Sequence, residues 1–240
     1  MLSNRIAVVT GAGAGIGEAI ARIFVREHVA GLAIVDYNFE AASKVAESLG
    51  GIALPVKCDI SNNEEVKAAA QQVMDRFGRV DILVNNAGIT RDGMFHKMSL
   101  DQWMSVINTN LNGSVYWCRA LINQMRDQGY GHIINLSSAS VRGVAGQTNY
   151  AATKAALIGF TNTLAKESAR KGVTVNCVAP GATDTSMYRA VPEQVIASMI
   201  DSNPMHRLGK PEEIGEVVAF VASERASYLN CQWILVNGGK

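Results

Sequence analysis

The chain of 240 residues is 48% hydrophobic and carries 22 glycines, which suits one large α/β domain with a fully buried sheet. With 22 basic and 21 acidic residues its formal net charge is +1, so no overall field draws it to nucleic acid or to an anionic membrane. Four dispersed cysteines (Cys58, Cys118, Cys177, Cys231) form no CxxC pair and argue against a disulfide framework, while His28, His96, His132 and His206 lack ligand spacing, so no metal is expected.

Neither a signal-peptide pattern nor a run near ~20 apolar residues occurs, and a soluble, cytoplasmic protein is expected. Short β-branched runs at 5–10, 31–36, 52–58, 80–85, 131–137, 173–179 and 232–236 predict strands. Segments of helical period lie between them, near 15–28, 39–49, 62–77, 100–128, 149–170 and 211–223. The alternation predicts a doubly wound, Rossmann-type sheet of seven parallel strands with helices on both faces, in a single domain over 1–240. The one long irregular stretch, 181–210, contains Pro192 and Pro204 and is expected to form a substrate-binding lid. Met187, Met199 and Met205 within it, and Met94, Phe95 and Met98 after the fourth strand, are expected to line a pocket beneath it.

The first strand ends in Thr10-Gly11-Ala12-Gly13-Ala14-Gly15-Ile16-Gly17, directly before a helix. Glycines there permit a tight turn and close approach of backbone to a pyrophosphate, and the helix start offers free N–H groups, so a dinucleotide site is predicted. Asp36 closes the second strand. Its carboxylate can accept both hydroxyls of an adenosine ribose and would repel a 2′-phosphate, and Tyr37-Asn38-Phe39 brings no cation, so NAD is expected over NADP. The alternative for Asp36 is a cap on the next helix. Asp59, before Ile60, either accepts from the adenine amino group or caps the helix entered through Ser61-Asn62. In Asn85-Asn86-Ala87-Gly88 the amides suit ties between neighbouring strands, beside backbone flat enough to lie on a ring. Asn108, Asn110 and Asn112 recur among apolar residues, so at least one is expected to hold a water or a backbone group in the interior.

A hydroxyl-rich strand end, Ser137-Ser138, leads to a helix carrying Tyr150 and Lys154 four residues apart, on one face. An ammonium near a phenol favours the phenolate, which lets the phenol exchange a proton closer to neutrality than its reference pKa of about 10 allows. That pair suits acid-base catalysis.

Together these residues resemble the short-chain dehydrogenase/reductase family over essentially the whole chain. The resemblance is carried by Thr10-Gly11-x-x-x-Gly15-Ile16-Gly17, Asn85-Asn86-Ala87-Gly88, Asn110-Leu111-x-Gly113, the Ser-Tyr-x-x-x-Lys set and Pro180-Gly181. Within the family the chain is most similar to the 3-oxoacyl-thioester reductases, acting on acyl carrier protein or coenzyme A, through the stretches 86–92, 146–150 and 207–213. It implies reduction of a 3-oxoacyl thioester to the 3-hydroxyacyl product, with Tyr150 as acid-base residue and Lys154 lowering its pKa and binding the nicotinamide ribose. Asn110 would anchor a water linking Lys154 to solvent. Ser138 is favoured over Ser137 as the carbonyl-binding hydroxyl, because a strand sets the position of its own end while the loop before Tyr150 can shorten. Cofactor contacts are implied at Gly11, Gly15, Ile16, Gly17, Asp36, Asp59, Ile60, Asn86, Gly88, Pro180, Gly181 and Thr183, and a homotetramer through the Tyr150 helix and the last strand.

Three features depart from that pattern. Asp36 is one, because carrier-protein reductases often prefer NADPH. The basic residues expected at the active-site mouth to meet an acidic carrier are displaced at Arg126-Asp127-Gln128 and kept at Arg170-Lys171. Asn230-Cys231-Gln232 stands where relatives often have Thr-Gly-Gln. Two other functions remain open: an NAD-dependent dehydrogenase of a sugar, polyol or steroid, and a non-catalytic dinucleotide sensor, against which the intact Tyr150 and Lys154 speak.

Overall fold

Successive side chains along each central strand enter two different cores, because a strand alternates its faces and here both faces are covered. Ala7 and Val9, Leu32 and Ile34, Ile82 and Val84, and Ile134 and Leu136 pack into one apolar cluster. Their intervening neighbours Val8, Ala33, Val35, Leu83 and Ile133 pack into the other. A computed structural model describes residues 1–186 and 192–240. In it β1 (Ile6–Thr10), β2 (Gly31–Asp36), β3 (Ala53–Lys57), β4 (Ile82–Asn85), β5 (Gly131–Leu136), β6 (Val173–Pro180) and β7 (Trp233–Val236) form one seven-stranded sheet in the order 3-2-1-4-5-6-7. Every pairing is parallel.

Helices α1 (Gly15–Arg26) and α2 (Phe39–Leu49) close the first core, with Ile20, Phe24 and Val45 turned inward. The second core is closed by α3 (Asn63–Phe77), α5 (Gly113–Asp127) and α6 (Thr148–Ser168), through Val66, Val73, Trp117, Leu121 and Ala165. Trp117 and Phe24 are fully buried, and each such side chain stabilises the fold by roughly 1.5–3 kcal/mol. Before α5 comes the short α4 (Leu100–Val106); after α6 come α7 (Glu193–Asp201) and α8 (Pro211–Val221), the last packing Ile214 and Val218 on the first core. Among the described residues no helix is long and apolar enough to cross a membrane. The strand order reverses between β1 and β4, and the crevice at their carboxyl ends is where ligands bind in open α/β sheets.

The single helix expected over 100–128 is interrupted. A π-helical turn, Ile107–Asn112, joins α4 to α5. It turns Asn110 fully inward, and the following Gly113 lies so near the third strand's exit that a Cβ there would sit 2.7 Å from Ile60 Cδ1. The stretch 181–210 is less irregular than expected, since it holds α7, a surface helix with no buried residue. Met187 lies outside the described residues.

The basic residues expected beside the active-site mouth sit elsewhere. Arg126 to Tyr130 precede β5 and Arg170-Lys171 precede β6, and Gly131 N–H donates to Gly172 O at 3.2 Å, so both segments lie at the amino ends of the strands, across the sheet from the crevice. Arg126 donates to the Glu167 carbonyl at 2.7 Å and so stitches α5 to the end of α6. A parallel sheet puts the residues before a strand and those after it at opposite rims, which their nearness in sequence to the Tyr150 helix hides.

Cys231, just before β7, adopts a left-handed backbone with φ of 65° while its N–H donates to Val175 O at 3.0 Å. The position demands a conformation natural to glycine, and a Cβ there costs ~1–2 kcal/mol. Cys231→Gly removes that strain but adds unfolded-chain entropy of ~0.5–1 kcal/mol, so its thermal midpoint should match or exceed that of the parent. Cys231→Val, branched at Cβ, should lower stability by ~2 kcal/mol in denaturant titration.

Candidate active site

The crevice floor is the turn between β1 and α1. Gly11 and Gly15 take φ of 63° and 58°, and a Cβ on Gly17 would collide with the Gly11 carbonyl oxygen. The α1 N-cap, Ala14, supplies no side-chain cap, so the first N–H groups of a 12-residue helix, those of Gly15, Ile16 and Gly17, have no intrahelical acceptor. Uncapped N–H groups at a helix start, with glycine leaving room above them, make a seat for a pyrophosphate. The turn is held from β4. Asn86 Nδ2 donates to Thr10 O at 2.9 Å and Gly11 O at 3.0 Å, and Thr10 Oγ1 accepts from the N–H groups of Asn86 and Ala87, both at 3.1 Å.

Asp36 does not cap α2. Asn38 does so, accepting from Ala41 N–H at 3.1 Å. Asp36 instead takes Gly13 N–H on Oδ2 and Asn38 N–H on Oδ1, each at 2.9 Å, which fixes its carboxylate at the edge of the glycine turn. Asp59 likewise leaves capping to Asn62, whose side chain accepts from Glu64 and Glu65 N–H, and binds the Ser61 hydroxyl at 2.7 Å. Ile60 is buried against Gly113. On the far side Pro180 ends β6, Gly181 N–H donates to Val236 O at 2.9 Å, and the buried Thr183 hydroxyl donates to Gly181 O at 3.0 Å. Thr185 Cγ2 stands 3.4 Å from where a Gly15 Cβ would lie, so the segment after β6 closes over the glycine turn.

Lys154 is buried, and its Nζ donates to the Leu136 carbonyl at 2.6 Å, at the carboxyl end of β5. It lies 5.6 Å from the centre of the Tyr150 ring. A Cβ on Gly88 would be 3.2 Å from Asn110 Oδ1, a tight approach, and 3.5 Å from that ammonium, an ordinary contact, so the bare backbone at Gly88 makes room chiefly for Asn110. Asn110 binds the Ile89 peptide twice, accepting its N–H at 2.8 Å and donating to its carbonyl at 3.0 Å. The two serines separate by burial. Ser137 is buried and donates to the Lys154 carbonyl at 2.9 Å; Ser138 is half-buried, accepts from Ser140 N–H at 3.1 Å and keeps its own proton to donate. Met94 and Phe95 are 54% and 66% exposed.

One residue of the site went unnoticed in the sequence. Asn149, wholly buried, accepts Tyr150 N–H at 2.7 Å and donates to the carbonyls of Arg91 and Gln102 at 3.0 and 3.3 Å. Gly93 N–H also donates to Gly146 O at 2.9 Å, and Gln147 to Asp92 at 3.0 Å, so the stretches 86–92 and 146–150 meet in space. Its only outward mark is a polar residue in a helix position that packing buries.

Comparison with known proteins gives three kinds of relative. A family model described as enoyl-(acyl carrier protein) reductase matches residues 11–240. Nodulation protein G of Azospirillum brasilense is 45% identical over 242 residues, covering 99% of this chain and 98% of its own. A 3-oxoacyl-(acyl-carrier-protein) reductase FabG of Chlamydia pneumoniae is 42% identical over 242 residues, 99% of this chain and 97% of its own. An acetoacetyl-CoA reductase of Shinella zoogloeoides is 43% identical over 239 residues, 99% of this chain and 98% of its own.

Burial pushes the Lys154 ammonium down from its ordinary value to about 8. Below that pH the folded state holds a charge stripped of water, at a cost of ~1–3 kcal/mol; as pH rises from about 8 toward 10.5 the folded lysine loses its proton before the unfolded one does, and the penalty fades. Lys154→Met should therefore be more stable than the parent at pH 7 by ~1–3 kcal/mol. Denaturant titrations across that window should show the gap closing as pH rises.

Proposed function

The chain belongs to the short-chain dehydrogenase/reductase family, and from that premise we propose that it reduces the ketone of a 3-oxoacyl thioester to the 3-hydroxyacyl product, using NADH. Members of the family are nicotinamide-dependent oxidoreductases, and the reductases of 3-oxoacyl and acetoacetyl thioesters among the relatives support ketoacyl reduction here. The observation that carries the proposal is the placement of Tyr150 within 5.6 Å of a buried ammonium, at the rim where the glycine turn opens.

The dinucleotide would be held by the N–H groups of Gly15, Ile16 and Gly17 at its pyrophosphate and by Asp36 at its adenosine ribose, with Asp59, Ile60, Asn86, Gly88, Pro180, Gly181 and Thr183 framing the crevice. A bound nicotinamide supplies hydride. As negative charge develops on the ketone oxygen, the Ser138 hydroxyl and the Tyr150 phenol meet it with hydrogen bonds, and Tyr150 delivers the proton. Lys154 gives one of its three N–H groups to Leu136 O, leaving two for ribose hydroxyls while its charge favours the phenolate. Bringing a phenol from about 10 to about 7 asks ~4 kcal/mol of that charge and its surroundings. Asn110, by clamping Ile89, holds the wall opposite Tyr150.

NADH rather than NADPH follows from Asp36. Two backbone N–H groups pin its carboxylate, so it has no easy path away from a 2′-phosphate. The cations in the adjoining hollow, Arg22 and Lys44, are already paired with Glu18 and Glu40. An acidic carrier would meet Arg91, Lys97 and Arg142, the basic residues that follow β4 and β5 at the crevice end.

Two measurements test this. With acetoacetyl thioester and NADH, absorbance loss should report steady turnover, and Tyr150→Phe should lower kcat by ~10³-fold while NADH binding stays within about two-fold. Turnover confined to simple alcohols, or binding without turnover, removes the thioester assignment. Asp36→Ser should shift the NADPH-to-NADH ratio of kcat/KM upward by at least ~10-fold; an unchanged ratio takes cofactor choice away from Asp36.

A further inference from the structure

We propose that Asn149 is a positioning residue for Tyr150, fixing the first turn of α6 to the loop that leaves β4. The inference rests on Tyr150 being the proton donor. The α6 N-cap, Gln147, makes no side-chain cap, so the early N–H groups of the helix must be satisfied by other means. Tyr150 N–H is one of them, and the neighbouring Asn149 Oδ1 accepts it at 2.7 Å. The other end of the same amide donates to Arg91 O and Gln102 O. Only one orientation of an amide satisfies all three bonds, since the oxygen must face an N–H and the nitrogen two carbonyls.

The Tyr150 carbonyl is held as well. Thr153 Oγ1 donates to it at 2.8 Å and receives Asn110 Nδ2 at 3.4 Å, while Asn110 grips Ile89. Both sides of the Tyr150 peptide are thus tied, through buried amides, to the segment 89–91. A phenol whose backbone is indexed in this way keeps its distance to the ketone oxygen from one turnover to the next. Displacements near 1 Å lower rates by ~10²-fold.

The test uses the purified full chain with NADH, acetoacetyl thioester and the variants Asn149→Ala and Asn149→Asp. Asn149→Ala should lose ~30–100-fold in kcat per NADH-binding site, with KM for NADH within about three-fold and a larger deuterium isotope effect on kcat from NADH labelled at the transferred hydrogen. Asn149→Asp keeps the acceptor for Tyr150 N–H but turns a carboxylate oxygen toward the two carbonyls, so it should fall at least as far; it serves alone, on kcat and the isotope effect, if Asn149→Ala does not fold. A fall in rate that merely tracks the fraction of sites binding NADH, with the isotope effect unchanged, would mean a packing role and overturn the proposal. Titration of the Tyr150 phenol, read as the difference between proteins with and without it, needs no turnover and should shift in Asn149→Ala, which adds no charge of its own. If the parent reduces no thioester, the functional assignment fails while this titration still decides: a shift upholds the positioning role, and an unmoved curve ends it.

Discussion

The structure depends on keeping one ammonium, that of Lys154, dry and charged at the end of β5. A buried cation destabilises the fold unless it is hydrogen-bonded, and here the Leu136 carbonyl at the strand end accepts from it. The surrounding geometry follows from that need. Gly88 leaves room beside Asn110, Ser137 gives its hydroxyl to the lysine's own carbonyl, and Asn110 faces inward across the same gap. The π-helical turn supplies the last requirement, because widening the helix by one residue rotates Asn110 out of the register a continuous α-helix would impose.

Beneath this layer runs a chain of buried polar contacts that joins strands through side chains. Asn85 donates to Asn135 at 2.8 Å, Asn135 to Thr161 at 2.8 Å, and Thr161 lies 3.1 Å from Cys177 Sγ. Each link crosses from one element to the next: β4 to β5, β5 to α6, α6 to β6. Asn85 Oδ1 at the head of this network has no partner among the described residues, so it is the links from Asn85 Nδ2 onward that hold these elements in one arrangement, since a slip would strand further polar groups in a low-dielectric interior. Burial also raises Cys177 to about 11 and Cys118 to about 12, so both thiols stay protonated and act as packing groups with weak polar contacts.

The seven strands, the glycine turn and the Tyr150–Lys154 spacing were legible in the sequence because local pattern determines them: β-branched runs, φ above zero, and an i, i+4 face. The strand end buries the Ser137 hydroxyl against the Lys154 carbonyl and leaves Ser138 half-buried. What stayed hidden depends on tertiary packing. The buried stripe of α6 reads Asn149, Thr153, Lys154, Leu157, Thr161, Ala165 and Ser168, so a search for apolar periodicity passes over its inward face. The break at 107–112 is marked in the sequence only by Asn108, Asn110 and Asn112, weak helix formers whose recurrence does not say which pitch the segment takes. Arg126 and Arg170 were misplaced for a different reason: sequence distance from Tyr150 says nothing about which rim of a parallel sheet a connection occupies.

Several departures from local rules lie where the proposed chemistry takes place. The α1 and α6 starts lack side-chain N-caps, a helix changes pitch beside Lys154, and that lysine lies buried with no salt-bridged carboxylate among the described residues. A fold selected for stability alone would remove each of these with a serine, a register correction or a methionine; a site that must seat a pyrophosphate and activate a phenol needs them left as they are. Cys231 is the contrast. Its left-handed backbone lies beside β7, its thiol reaching Asn162 Oδ1 at 3.3 Å on α6. Among the described residues its hydrogen bonds go to Val175 and Asn162, neither of them in the crevice, so its strain belongs to the turn into the edge strand.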